Sequence, residues 1–279
     1  MLTEVFKIHA QGSGENAYLR TYIIDRSDSL RYNRRPLILI CPGGGYEFVS
    51  DREAEVMALQ FTAMGYHAAV LTYSVKPAVF PTQILETAQA WKIIRDNGEK
   101  WNVLSDKIII LGCSAGGHLA ASYSLFCEED FVVSSVGISA DKLRPAGMIL
   151  CYPVITSGKF AHQGSFAALL GSDYDKLTES EFMDKVSLEK QVTDNTPPAF
   201  IWHTYTDNVV PVENSLMFAA ALREKNVNCE LHIFPEGGHG LGLANEFSLD
   251  QSGWGLQTEC QIWIRLVKIW LNHKFGFGE

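Results

Sequence analysis

The chain has 279 residues, 47% of them hydrophobic and 20% charged, a balance that excludes disorder and supplies a large core. Its formal charge of −9 comes without any Lys/Arg cluster, which argues against nucleic acid or an anionic membrane surface as a partner. No stretch approaches 18 consecutive apolar residues, so no membrane span is expected.

Residues 4–24 read as antiparallel edge strands. "RPLILIC" (35–41) is a strand followed by the glycine turn "PGGGY". Residues 52–65 carry helical periodicity and stop at Gly65. "YHAAVLTY" (66–73) is the next strand, and 81–101 the next helix, with Pro81 in its first turn. "DKIIILG" (106–112) leads as a strand into the helix "AGGHLAASYSLF" (115–126). "AGMILCYPV" (146–154) and "PPAFIWHTY" (197–205) are strands, and 211–226 is a helix. "NCELHIFP" (228–235) is the last strand, and 257–275 the last helix. Continuously apolar strands alternating with helices predict a mostly parallel sheet covered on both faces. The polar stretch 156–190 breaks the rhythm and predicts a small helical excursion over one end of the sheet. Without repeat, low-complexity run or linker, residues 1–279 are expected to form a single α/β domain.

The N-terminal stretch "MLTEVFKIHAQGSGENAY" has no apolar core of the kind a secretion signal needs. The six cysteines (41, 113, 127, 151, 229 and 260) show neither a CxxC pair nor a metal spacing. They read as buried thiols of a protein in a reducing, cytoplasmic compartment.

In "LGCSAGGHLA" (111–120), Ser114 falls between a strand and a helix, with Gly112 and Gly116 two residues to either side. A G-x-S-x-G match alone is weak. A strand before it and a helix after it make it specific, because a sharp strand-to-helix turn needs glycine room to push Oγ outward. The helix then begins at the hydroxyl, with its free N–H groups turned to any negative charge formed there.

A serine hydroxyl reacts only when a base takes its proton. His239, on the Gly-rich loop "FPEGGHGLG" after the last strand, has the reach for that role. Asp207, just after the strand ending "IWHT", is the carboxylate to orient it. The order Ser, Asp, His agrees with the order expected in this kind of sheet. Among the other histidines, His232 lies within a strand, His203 ends one and His118 lies in the helix after the serine. Gly44 and Gly45 offer backbone N–H groups beside that of Ala115 for an oxyanion. Cys113 is the competing nucleophile, but shifting the turn by one residue would put Leu111 where a glycine is wanted.

Together "PGGGY", "GCSAGGHLA", "HTYTDNVVPVENSLMFAAALRE" and "HIFPEGGHGLGLA" resemble the small α/β-hydrolase esterases of the acetyl-xylan-esterase and hormone-sensitive-lipase-like kind. The resemblance runs from about residue 18 to the end. It implies Ser114 as nucleophile, Asp207 as acid, His239 as base, and Gly44, Gly45 and Ala115 as oxyanion donors. Two departures stand out: Pro42 occupies the place where the family commonly has His before its glycines, and Thr206 replaces an Asp next to Asp207.

The reaction so implied is acyl transfer from an ester to water, with no metal or organic cofactor and a small-molecule ester as partner. The resemblance favours short acyl groups, acetyl on sugars or xylo-oligosaccharides among them. Tyr46, Phe48, Phe80 and Trp254 are expected near the mouth, where they would shorten the acyl pocket or stack on a sugar ring. An amidase or formamidase, a serine peptidase with the same triad, and a non-catalytic binding protein on a hydrolase fold stay open as alternatives. The sequence leaves the oligomeric state undetermined.

Overall fold

Leu37, Leu39 and Cys41 alternate with Ile38 and Ile40 along strand β3 (Arg35–Cys41), and the two sets join different apolar clusters. A pleated strand sends successive side chains to opposite faces, so a strand apolar at every position must be covered on both. The computed structural model, which describes residues 1–174 and 181–277, shows that covering.

The central sheet contains β1 (Val5–Lys7), β2 (Tyr18–Tyr22), β3, β4 (His67–Thr72), β5 (Val103–Cys113), β6 (Gly147–Cys151), β7 (Ala199–Thr204) and β8 (Cys229–Phe234). Their order across the sheet is β1-β2-β4-β3-β5-β6-β7-β8. β2 runs antiparallel to both β1 and β4, and β3 to β8 pair in parallel. The expected antiparallel edge is therefore present.

One face is covered by α1 (Glu55–Ala63) and α8 (Trp263–Lys274), which contribute Met57, Phe61, Trp263, Val267, Trp270 and Leu271. In α8 the buried positions 263, 267, 270 and 271 follow the 3.6-residue repeat. The other face is covered by α2 (Thr82–Asp96), α3 (Ala115–Phe126), α4 (Asp130–Val136) and α7 (Glu213–Glu224). The excursion after β6 holds α5 (Gln163–Leu170) and the short α6 (Glu181–Val186). Positions 175–180 of the expected excursion, and 278–279 of the expected domain, lie outside the described residues.

Several boundaries differ from expectation, among them the helix expected over 81–101, which ends at Asp96. The helix expected over 52–65 breaks into a 3₁₀ turn, Asp51–Glu53, and α1, with the bend at Ala54. The bend turns Glu53 inward, where the side chain is 3% exposed. The last helix begins as a 3₁₀ turn, Thr258–Ile262. Among the described residues no helix is long and apolar enough to cross a membrane.

Candidate active site

Ser114 sits between β5 and α3 with φ of 53° and ψ of −120°, a conformation that costs energy in any residue with a side chain. Three backbone bonds hold it there. Its N–H donates to Cys151 O, and its carbonyl accepts from the N–H groups of Val154 and His118. The flanking glycines are required by close approach. A Cβ at Gly112 would lie 2.0 Å from Gly116 O, and one at Gly116 would lie 2.1 Å from Cys41 O. Cys113 faces the packed side with Ile109, Leu111 and Cys151, and burial raises its thiol well above the ordinary value.

The loops after β7 and β8 bring the other two predicted side chains to this turn. Ser114 Oγ lies 2.7 Å from His239 Nε2, and His239 Nδ1 lies 2.7 Å from Asp207 Oδ2. A carboxylate beside Nδ1 assigns the proton to that nitrogen and leaves Nε2 to accept from the serine hydroxyl. Asp207 Oδ1 accepts from the N–H groups of Val209 and Val210, both at 2.9 Å.

His203 completes the surroundings of Asp207. Its Nε2 lies 3.2 Å from Asp207 Oδ2 and 3.0 Å from Val210 O, and its Nδ1 lies 2.8 Å from Ser215 Oγ. Two acceptors at Nε2 assign the proton there, so one carboxylate oxygen serves two imidazoles. Burial pushes the Asp207 carboxyl up. The hydrogen bonds from His203 and His239 outweigh burial and hold it well below the usual carboxylate range. The sequence places His203 only at a strand end; its partnership with a residue four positions on is visible only when the chain turns back at 205–207.

Gly44 and Gly45 adopt φ of 128° and 66°, which glycine tolerates and other residues resist. Among the described residues no protein acceptor takes the N–H of Gly44, Gly45 or Ala115. Both glycines line a cavity of about 470 Å³ together with Ser114 and His239. The remaining wall mixes the polar side chains of Glu47, Ser50, Arg52, His162 and Asp250 with apolar surface from residues that include Phe48 and Val209. Ser165 N–H and the Ser165 hydroxyl both engage His162 Nδ1. The sequence gives His162 no strand-end setting, and only the folded excursion puts it here.

Of the four aromatic residues expected at the mouth, Phe48 lines the cavity and Trp254 bonds to the backbone of the histidine loop. Phe48 is 61% exposed. Trp254 is 47% exposed and donates its indole N–H to His239 O at 3.1 Å. Tyr46 and Phe80 are elsewhere. Tyr46 is buried, with its hydroxyl 2.9 Å from His118 Nδ1, because its positive φ turns the ring inward under the glycine loop. Phe80 packs edge-on against Phe182, at 5.3 Å between ring centroids, because the excursion covers it.

This sheet order, with a serine turn after β5 and partners after β7 and β8, defines the α/β-hydrolase fold. Residues 27–222 match the BD-FAE family, a span that includes Ser114 and Asp207 and ends before His239. The chain is 40% identical over 227 residues to endo-1,4-beta-xylanase B of Butyrivibrio fibrisolvens, covering 79% of this chain and 34% of that protein. It is 30% identical over 210 residues to an acetylxylan esterase of Xylanibacter ruminicola, covering 74% of this chain and 41% of that one. The chain thus spans about a third of the first of these relatives and two fifths of the second. Among solved structures, it is similar to an acetyl ester-xyloside bifunctional hydrolase from Caldicellulosiruptor lactoaceticus. That match has a TM-score of 0.79 and 37% identity, over 94% of this chain and 89% of that one. The chain belongs to the BD-FAE family and has the α/β-hydrolase fold.

Proposed function

We propose that this chain is a serine carboxylesterase that removes short acyl groups, acetyl foremost, from hydroxyl-rich alcohols of the xylo-oligosaccharide kind. The observation that carries the reading is the continuous relay Ser114–His239–Asp207, with both links at 2.7 Å.

Ser114 Oγ attacks the ester carbonyl while His239 Nε2 takes its proton. The carbonyl π pair moves to oxygen, which rests on the N–H groups of Gly44, Gly45 and Ala115. Asp207 stabilises the imidazolium through Nδ1–H. Collapse expels the alcohol, which leaves with the proton from His239. A water molecule then attacks the acyl-enzyme with His239 again as base, releasing the carboxylic acid and restoring Ser114.

The alcohol half is inferred from the cavity and from the relatives. The cavity combines polar side chains, able to bond hydroxyl groups, with apolar surface, the mixture a sugar ester presents. The exposed ring of Phe48 on its wall offers a face for a sugar ring. Relatives named as an acetylxylan esterase and as an acetyl ester-xyloside hydrolase point the same way. The reading takes residues 1–279 as one domain. The six thiols, five of them buried, support a cytoplasmic setting.

The test is a panel of 4-nitrophenyl acetate, butyrate and octanoate beside acetylated xylo-oligosaccharides, run on wild type and Ser114→Ala. The expected result is fastest turnover of acetyl, release of acetate from the oligosaccharides, and loss of at least about 10⁴-fold in Ser114→Ala. A preference for octanoate would overturn the short-acyl assignment. Failure of a fluorophosphonate to label Ser114 would overturn the serine mechanism.

A further inference from the structure

Glu53 is a carboxylate almost wholly removed from water, at 3% exposure, in a chain whose other acidic residues are mostly at the surface. Its two oxygens have different tasks. Oε2 accepts from Gly43 N–H at 2.7 Å. Oε1 accepts from the Tyr152 hydroxyl at 2.6 Å. The Tyr152 oxygen in turn accepts from Gly242 N–H at 2.8 Å. One side chain therefore ties together the glycine loop after β3, the turn after β6 and the loop that carries His239.

Each tie reaches a proposed reacting group within three residues. Gly43 precedes Gly44 and Gly45, and is packed so closely that an added Cβ would lie 3.0 Å from Ser114 Cβ. Gly242 lies three residues after His239. The Tyr152 ring meets the His239 ring edge-on, with centroids 5.2 Å apart and planes at 72°. Tyr152 holds a φ of 39°, a conformation kept only where surrounding bonds over-determine it. The bend at Ala54 that interrupts the first helix is what delivers Glu53 to this place.

We propose that Glu53 is a positioning residue. Its carboxylate fixes the oxyanion-binding glycine loop with one oxygen and, through Tyr152, the His239 loop with the other. This rests on the reading of Ser114, His239 and the glycine N–H groups given above. Glu53 holds both loops in register with the serine turn, so the donors meet the oxygen when it becomes charged rather than before. Its loss therefore weakens transition-state binding more than substrate binding.

The experiment uses the full chain with Glu53→Ala, Glu53→Gln and Tyr152→Phe. Active sites are titrated with a fluorophosphonate so that kcat is expressed per competent molecule. Each variant is also assayed for inhibition by a short trifluoromethyl ketone, which Ser114 converts to a tetrahedral alkoxide. The expected result for Glu53→Ala is a kcat lower by about 50-fold, a ketone Ki weaker by a similar factor, and KM within about threefold. Glu53→Gln keeps an acceptor for Gly43 N–H and recovers to within about fivefold of wild type. Tyr152→Phe loses about tenfold in kcat and in ketone affinity alike.

A merely structural Glu53 would lower the melting temperature and the titrated fraction and leave kcat and Ki per site within twofold; that result overturns the proposal. If Glu53→Ala does not fold, the same criterion applied to Glu53→Gln and Tyr152→Phe decides. If the wild type itself neither turns over acetate esters nor takes the fluorophosphonate, the serine-esterase reading fails and this inference fails with it. An active wild type with unaffected variants removes the positioning role alone.

Discussion

His118, fully buried behind the serine turn, makes acid a specific threat to the fold beside the site. Its Nε2 lies 2.9 Å from Val186 O and its Nδ1 lies 2.9 Å from the Tyr46 hydroxyl, so the ring is built in as a neutral donor and acceptor. Burial, offset in part by the bond to Val186 O, lowers its pKa from 6.5 to about 4. The folded value lies below the unfolded one. The stability contributed by the neutral ring is thus complete above about 6.5 and is lost as pH falls toward about 4. At 1.36 kcal/mol per unit, the difference accumulated by pH 4 is about 3 kcal/mol. Gln at 118 can bond the same two partners and does not titrate. His67, also buried and lowered to about 4, is present in both proteins and cancels. The assay is urea denaturation of wild type and His118→Gln, followed by Trp fluorescence at pH 7 and pH 4. Wild type should lose about 3 kcal/mol relative to the variant between the two. A gap that stays constant within about 0.5 kcal/mol would refute the assignment of a neutral, load-sharing imidazole at 118.

Two further outcomes are expected. His203→Phe removes one of the two imidazole donors to Asp207 and should lower kcat/KM by about tenfold; a value within about twofold of wild type would show that His203 does not help hold the carboxylate. Gly116→Ala forces a Cβ against Cys41 O and Pro42 O, both backbone, and should cost at least about 2 kcal/mol, read as a melting temperature lower by about 5 °C or more.

The central strands β3, β4, β6 and β7 were legible because each is a largely apolar run, and the parallel order follows from the helices between them. Ser114, Asp207 and His239 were legible because each sits at a strand-to-loop junction where a side chain must project past the sheet. What escaped depends on which way a side chain turns. Tyr46 and Phe80 look like mouth residues in one dimension, but Tyr46 is buried at a positive φ and Phe80 packs half-buried against the helical excursion. Glu53 looks like a solvated residue at a helix start, and the bend at Ala54 that buries it leaves no periodic trace. His162 and His203 acquire neighbours only through tertiary contacts. The element α4 also escaped, since seven residues give too few turns for a repeat to register.

Strand β8 is half-buried at every one of its six positions and forms the margin of the sheet, whereas β5, which delivers the serine, lies in the interior. The base is thus hung from an outer rung of the ladder and the nucleophile from one of the most protected. Warming or mild denaturant should fray that margin before the interior. Catalysis would then fade while the bulk of the protein still scatters, fluoresces and sediments as a folded body, and cooling would restore it without any refolding of the interior.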